Sequence, residues 1–443
     1  MRSAELSGWG RYPRRPGPVA APRDMAALRA AVGLGGVIAR GNGRAYGDSA
    51  MGAAATIDMR RLNRMLAFDP ATGQLVAEAG VILGDVITAF LPRGWFPYVT
   101  PGTKFVSLGG AIAADVHGKN HHVDGSFGAF VDWIDVVGAD GEVTRASRSS
   151  NSELFGWTIG GMGLTGVILR AAIRLRPVES AWIRQETIPA PHLAAAMEAF
   201  EAADAATYSV AWIDCLASGG SLGRSLIMFG EHAETGEVPS AFRKHPFATP
   251  KRRAKTVPVN LPGAALNTWT VKAFNALYWR KGLSSPRKSL VDWDRYFYPL
   301  DAILGWNRIY GRRGFLQFQC ALPPKSSEAG LRALLGATAA AGQGSFLAVL
   351  KRFGIQESRF SFPMEGYTLA LDFPATAKTL ALLDRLDAIA VDHGARFYLA
   401  KDARLAATTL HRSDPRADIL RDMRREAGLD QAFASAQSER LLL

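Results

Sequence analysis

Residues 100–122 read TPGTKFVSLGGAIAADVHGKNHH, which sets His117, Lys119, His121 and His122 within six positions, just after a run of small residues. Imidazoles and an amine that close together can bind a metal, move a proton or receive an anion. A metal fits poorly. The histidine spacings of four and one come without an Asp or Glu in helical register, so neither a zincin nor a carboxylate-supported site is formed. A structural histidine cluster and a substrate or cofactor site remain. Gly109, Gly110, Ala111, Ala113 and Ala114 favour the second, because backbone without bulky side chains admits a flat or phosphorylated ligand.

A second stretch, RGNGRAYG over 40–47, places three glycines within seven positions. It lies between two expected strands with no helix after it. That suits a nest of backbone N–H groups around a phosphate and does not suit a P-loop; an ordinary turn is the alternative. A third, GMGLTG over 161–166, matches G-x-G-x-x-G in letters only. The dinucleotide fingerprint needs a strand before the loop and a helix after it. Here ELFGWTI before it is helical and VILRAAIRL after it is a strand, which excludes a Rossmann domain.

The elements that must position these residues follow from periodicity. MAALRAAVG predicts a helix over 25–33, and GVIAR a strand over 36–40, with another strand over 53–59. QLVAEAG reads as a strand, ILGDVITAFLPRG as an amphipathic helix closed by Gly94, and GWFPYV as a short strand. Residues 130–146 predict a hairpin on a two-residue Asp140-Gly141 turn. Residues 150–178 predict a helix, a glycine loop and a long strand ending near Pro177. Beyond it, YSVAWIDC, SLIMFGEH, GFLQFQCAL, FLAVLKRF and GYTLALDF are strands, with helices over 328–341 and 377–393. Antiparallel strands with helices on one face make an α+β unit. The tail from Arg396 returns in style to the first region.

The bulk numbers limit the class. A chain of 443 residues with 48% hydrophobic and 21% charged residues is a globular protein of two expected domains. No run of eighteen apolar residues appears, so none is expected to span a bilayer. The N-terminal residues lack the apolar stretch of a secretory signal, and Cys215 and Cys320 are the only cysteines. The expected compartment is the cytoplasm. A net charge of +12 points to nucleic acid, an anionic membrane surface or a phosphate-bearing substrate. The densest basic run, RKHPFATPKRRAK over 243–255, has no interleaved base-stacking aromatics and no DNA-reading motif around it, which argues against nucleic acid. It is expected to be a mobile, solvent-facing loop near the substrate entrance that meets anionic lipid; mere solvated charge is the alternative.

The motifs RGNGRAYGD, PGTKFVSLGGAIAADVHGKNHHVDGSFG, GGMGLTG, YPLD with WNRIYG, GFLQFQ and FYLAKDAR run through nearly the whole chain. On them the chain resembles the vanillyl-alcohol-oxidase-type (PCMH-type) FAD enzymes, and within these it is similar to the polyprenylphosphoryl-pentose 2′-oxidases. The glycine loops are shared by the wider group; HGKNHH, FLQFQ and AKDAR are specific to the narrower one. The resemblance implies an α+β fold of two domains, with 1–181 and 396–443 binding FAD and 182–395 forming an antiparallel-sheet substrate domain. It implies that Arg40, Gly41, Asn42, Gly43, Arg44, Ala45, Tyr46 and Gly47 follow the FAD pyrophosphate. Gly102, Ser107, Leu108, Gly109 and Gly110 would contribute from the next glycine stretch, with Ala114, Asp115, His117 and Gly118 after it. Val167, Ile168 and Tyr398 complete the implied cofactor contacts. Relatives that attach FAD covalently carry a histidine where this chain has Arg44, so the resemblance implies non-covalent FAD.

The same resemblance implies Lys401, His117 and Tyr46 as the catalytic group, with Lys401 facing flavin and substrate hydroxyl. It implies Lys119, Gln317, Gln319 and Lys401 as substrate contacts, Lys119 suiting the lipid phosphate as a point charge. Gln317 and Gln319 alternate along one strand and so share a face. Ala370 and Ala114 stand where relatives carry cysteines. The implied reaction is oxidation of the C2 hydroxyl of a polyprenyl-phosphate pentose to the 2-keto sugar. A separate keto-sugar reductase would then complete epimerisation to the arabinose donor, at the periphery of an anionic membrane. An alditol- or aldonolactone-type oxidase of soluble sugars is the enzyme alternative, and a membrane- or nucleic-acid-binding module, resting on charge alone, the other.

Overall fold

The computed structural model describes residues 1–262, 266–345 and 347–443. The first sheet holds Arg2–Ser7, Arg14–Ala20, Ala55–Asp58 and Val37–Arg40 in that spatial order. Its N-terminal hairpin is antiparallel and its other two pairings are parallel. Helix Met25–Val32 makes the crossover, started by Asp24, whose carboxylate accepts the Ala27 N–H at 2.8 Å.

The second sheet is antiparallel and centres on the long strand Val167–Pro177, flanked by Gln74–Glu78 and Val131–Val137. The hairpin of Val131–Val137 and Val143–Ser147 forms as expected, but its turn is longer than two residues. The last ladder pair is Val137 with Val143, and the Gly138 N–H reaches the Glu142 carbonyl at 2.9 Å. Asp140 is the reason: its carboxylate accepts the Glu142 N–H at 2.9 Å, taking a donor that a tighter turn would use elsewhere. Around GMGLTG, helix Ser152–Thr158 precedes and Val167–Pro177 follows, the reverse of a dinucleotide fold.

The third sheet has eight strands, all antiparallel. Its core strands run Tyr208–Ile213, Ala348–Phe353, Gly366–Pro374, Phe315–Leu322 and Arg396–Phe397 in space. Helices Leu193–Ala202, Ser327–Ala341 and Ala377–Asp392 cover one face, burying Phe318, Leu350, Leu371 and Phe373 against Leu334, Leu335 and Leu383. Each such side chain stabilises the fold by roughly 1.5–3 kcal/mol. The register decides what the other face carries. Gln317 pairs with Asp372, Gln319 and Val349 both with Ala370, and Lys351 with Thr368, so these residues of three adjacent strands share one polar face.

The C-terminal tail joins both regions. Phe397 pairs with Cys320 in the eight-stranded sheet, while Phe433 and Ser435 bridge to Val37 and Gly52 beside the first sheet. Arg440 binds Asp48 and Asp402 at 2.8 Å each, fixing the end of the chain to both glycine-loop and sheet sides. Among the described residues no helix is long and apolar enough to cross a membrane.

Candidate active site

One cavity lies between the loops of residues 41–46 and 101–114 and the polar face of the eight-stranded sheet. Glycine is required where the first loop is tightest. A Cβ on Gly41 would sit 1.8 Å from Ser107 Oγ, and Gly43 has φ +63°. A Cβ on Gly102, which lines the cavity, would by contrast meet nothing within 4 Å. Asn42 ties the two loops by donating to the Phe105 carbonyl at 2.9 Å. Arg44 lies over the rings of Trp9 (4.2 Å) and Phe105 (5.0 Å), and its Nε has no partner among the described residues.

Opposite the loops, the Lys401 side chain is delivered by a turn. The Tyr398 N–H donates to Gln319 O at 3.1 Å, the Lys401 N–H to Tyr398 O at 2.9 Å, and the Tyr46 N–H to Ala400 O at 2.9 Å. Lys401 Nζ stands 3.6 Å from the centre of the Tyr46 ring. Beside it, Gln317 donates to the buried Asp372 carboxylate. Desolvation pushes the Lys401 amine down and the Asp372 carboxyl up, while each pulls the other back toward its charged form. Desolvation likewise holds the Tyr46 phenol well above its usual range.

His117 is buried among Phe353 (4.8 Å), Tyr398 (5.1 Å) and Phe362 (5.6 Å), and its Nε2 is 3.2 Å from Gln319 Nε2. Burial first, then Lys351, His121 and Lys401, depress its pKa, so the ring is neutral. An imidazole that accepts the Gln319 amide at Nε2 carries its proton on Nδ1, which has no partner among the described residues.

The cavity wall contains Gly41, Asn42, Gly43, Arg44, Ala45 and Tyr46 from the first loop, and Gly102, Ser107, Gly110, Ala114 and His117 from the second. Gln317, Gln319, Tyr398 and Lys401 face them. Other residues expected at the cofactor support the wall from behind. Arg40 donates to Ser7 O at 2.7 Å and Ala50 O at 3.2 Å, and Gly47 packs on the Asp402 backbone. Gly109 lies against Ala79, and Gly118 against Asn120 and Thr100. Leu108, Val167 and Ile168 belong to apolar clusters. Asp115, at φ +38°, accepts from Ser126 Oγ, the Gly128 N–H and Gln356.

Lys119, expected to contact the substrate, lies off the cavity wall. Its Nζ donates to the Tyr296 carbonyl and lies 4.0 Å from the Tyr296 ring centre; desolvation brings its pKa down to about 7. His121 and His122 turn to separate partners, Gln356 Oε1 at 2.7 Å and Ala206 O at 2.8 Å. Besides Lys401, the wall carries Lys351, with its pKa pushed down to about 8 by desolvation. Lys351 and Asp372 were not singled out from the sequence. The available signal was a charge in a strand rich in apolar residues, Lys351 in AVLKRF and Asp372 in GYTLALDFP.

These residues suit FAD. Glycines at 41, 43, 102 and 110 line the wall with bare backbone, with open space at Gly102 and tight loop packing on Ser107 and Arg40 at the others, and the cationic Arg44, with an unpartnered Nε, lies on the same wall. Arg44 has no nucleophilic imidazole to bond the flavin. Comparison with known proteins agrees. A family model described as "FAD binding domain" matches residues 16–147, which contain both loops. The chain is 36% identical to decaprenylphosphoryl-β-D-ribose oxidase of Mycolicibacterium smegmatis over 99% of its own length and 97% of that protein. It is 33% identical to cytokinin dehydrogenase 5 of Oryza sativa over 39% of this chain and 34% of that one. With mouse L-gulonolactone oxidase the identity is 30% over 31% of each. Similarity along the full length to the first, and only along part of the chain to the others, shows that the chain belongs to the decaprenylphosphoryl-β-D-ribose oxidase family of FAD-dependent oxidoreductases.

Proposed function

We propose that the protein oxidises the C2 hydroxyl of a polyprenyl-phosphate ribose to the 2-keto sugar, using non-covalent FAD. The observation that carries this reading is the convergence of Lys401, Asp372, Gln317 and Gln319 on one wall, facing the glycine loops across the cavity. In this reading residues 1–181 and 396–443 hold the cofactor and 182–395 present the sugar. When bound, FAD supplies the acceptor for the hydride that leaves C2.

The protein's own residues handle the proton and the orientation. Desolvation favours the neutral Lys401 amine, which takes the C2 hydroxyl proton. Asp372, held by Gln317, compensates the ammonium that results. Tyr46 supports the Lys401 side chain through its ring, and its phenol stays protonated. His117 offers the Nδ1 hydrogen to a sugar oxygen, with Gln319 fixing its tautomer. Lys351 replaces Lys119 as the cation for the substrate phosphate, because it faces the cavity. The 2-keto product calls for a separate carbonyl reductase to restore the hydroxyl with inverted configuration, giving the arabinose epimer. A lipid-linked substrate places the work at a membrane periphery.

Anaerobic mixing of the FAD-loaded protein with detergent-solubilised polyprenylphosphoryl ribose tests this by bleaching of the flavin. Bleaching by free alditols or aldonolactones at the same rate, with none by the lipid sugar, would overturn it.

A further inference from the structure

The net positive charge of this chain sits in one segment. Between Glu237 and Asp292 lie 54 residues with eleven Lys or Arg and no Asp or Glu; the rest of the chain has 41 basic against 40 acidic residues. All eleven are exposed. The first six fall at 243–255, whose loop is exposed yet tied down, with Phe247 packed on the neighbouring core and the Pro246 carbonyl accepting the Ala181 N–H at 3.0 Å. The other five lie on and just after the helix Thr268–Ser284.

That helix carries large apolar side chains on both sides. Its inner side buries Val271 and Asn275, and Tyr278 packs on Trp212 at 4.8 Å. Its outer side exposes Trp269 by 81%, Leu277 by 66% and Leu283 by 55%. At 3.6 residues per turn, Trp269, Ala273, Leu277, Arg280 and Ser284 fall within an arc of about 80°. Lys272 and Lys281 border these side chains, and Arg280 lies among them. A helix facing only water gains nothing from such a face. Apolar side chains reaching the acyl boundary, with Lys and Arg at the level of the phosphates, is the pattern of a helix lying in a membrane interface.

The helix starts at the cavity rim. Leu266, two residues before it, packs on the aromatic cluster of Trp306, Tyr310 and Phe315, together with Trp9, Leu300 and Leu347. Trp9, Leu300, Trp306 and Leu347 also line the cavity. We infer that the outer face of helix Thr268–Ser284 inserts into the surface of an anionic membrane, with the basic residues of 243–288 gripping the headgroups, so that the cavity opens toward the lipid. The membrane contact stands on charge and exposure; the delivery of substrate from that side rests on the proposed lipid-linked sugar.

Sedimentation of the FAD-loaded full chain with vesicles tests it, using phosphatidylglycerol mixed with phosphatidylcholine against phosphatidylcholine alone. Binding to the mixed vesicles is expected at low salt, weakening as salt rises. The double variant Trp269→Ser, Leu277→Ser should weaken partitioning about tenfold or more per site. Replacing Lys251, Arg252, Arg253 and Lys255 by glutamine should weaken it about fivefold per charge removed. Flavin absorbance, the melting temperature and bleaching by detergent-solubilised substrate should stay unchanged in both, which separates this result from failure of the proposed reaction. Wild-type protein that ignores anionic vesicles, or an apolar double variant that sediments like wild type, would overturn the inference. So would a double variant that loses only self-association in light scattering, since the face would then join two copies.

Discussion

Replacing Lys401 by methionine removes the amine and keeps most of the side-chain length. In the wild type the amine stands 3.6 Å from the Tyr46 ring centre, and the neighbouring Asp372 is held by Gln317. Losing a proton acceptor at that place should slow flavin reduction about 10²–10⁴-fold. Stability should move little. The folded state lowers the Lys401 pKa, so it disfavours the ammonium, and the lysine's cost to folding appears as pH falls through the unfolded pKa. Methionine lifts that cost but leaves Asp372 without its cation, which drives the carboxyl further toward its neutral form. The assay is stopped-flow bleaching under anaerobic conditions with saturating substrate, beside FAD titration and a melting curve. For wild type the reduction rate should rise with pH across the neutral range as the amine loses its proton, and the variant should show no such limb. Reduction within a few-fold of wild type, or an unchanged pH profile, would refute the assignment and turn attention to His117 and Tyr46.

Acid or heat denaturation should release the yellow colour into the supernatant, since Arg44 offers no covalent link; colour retained by the precipitated chain would contradict this. Lys351→Ala should raise KM for the phosphorylated substrate about tenfold to a hundredfold, the worth of one charge-assisted hydrogen bond. Lys119→Ala should instead lower the melting temperature with little change in KM, because its ammonium is spent on the Tyr296 carbonyl. Reversal of these two outcomes would restore Lys119 as the phosphate ligand. Arg440→Ala strands the buried carboxylates of Asp48 and Asp402 and should cost about 3–5 kcal/mol in urea unfolding; a loss under 1 kcal/mol would mean the tail is held by other contacts.

Much of the local structure was legible without any contact information. Helices expected over 328–341 and 377–393 appear as Ser327–Ala341 and Ala377–Asp392, because an amphipathic period of 3.6 shows in any window. The glycine loops and the reversed order around GMGLTG were equally plain. The hairpin Arg2–Ser7 with Arg14–Ala20 was not: its arginines and prolines give no alternation, and its second strand is held by pairing with Ala55–Asp58. Helix Thr268–Ser284 was missed because apolar and polar side chains are mixed on both of its sides, which leaves little period to detect. At the site, alternation established that Gln317 and Gln319 share a face, but not which face looks into the cavity. That was decided by the register of three strands distant in sequence, which sets Asp372 opposite Gln317 and Lys351 opposite Thr368. Lys119 shows the limit most clearly. Its neighbours place it beside the site, yet Tyr296, 177 residues away, turns its ammonium off the cavity wall. Local sequence fixes the period of a segment; the side on which a charge emerges depends on partners that only the folded chain brings near.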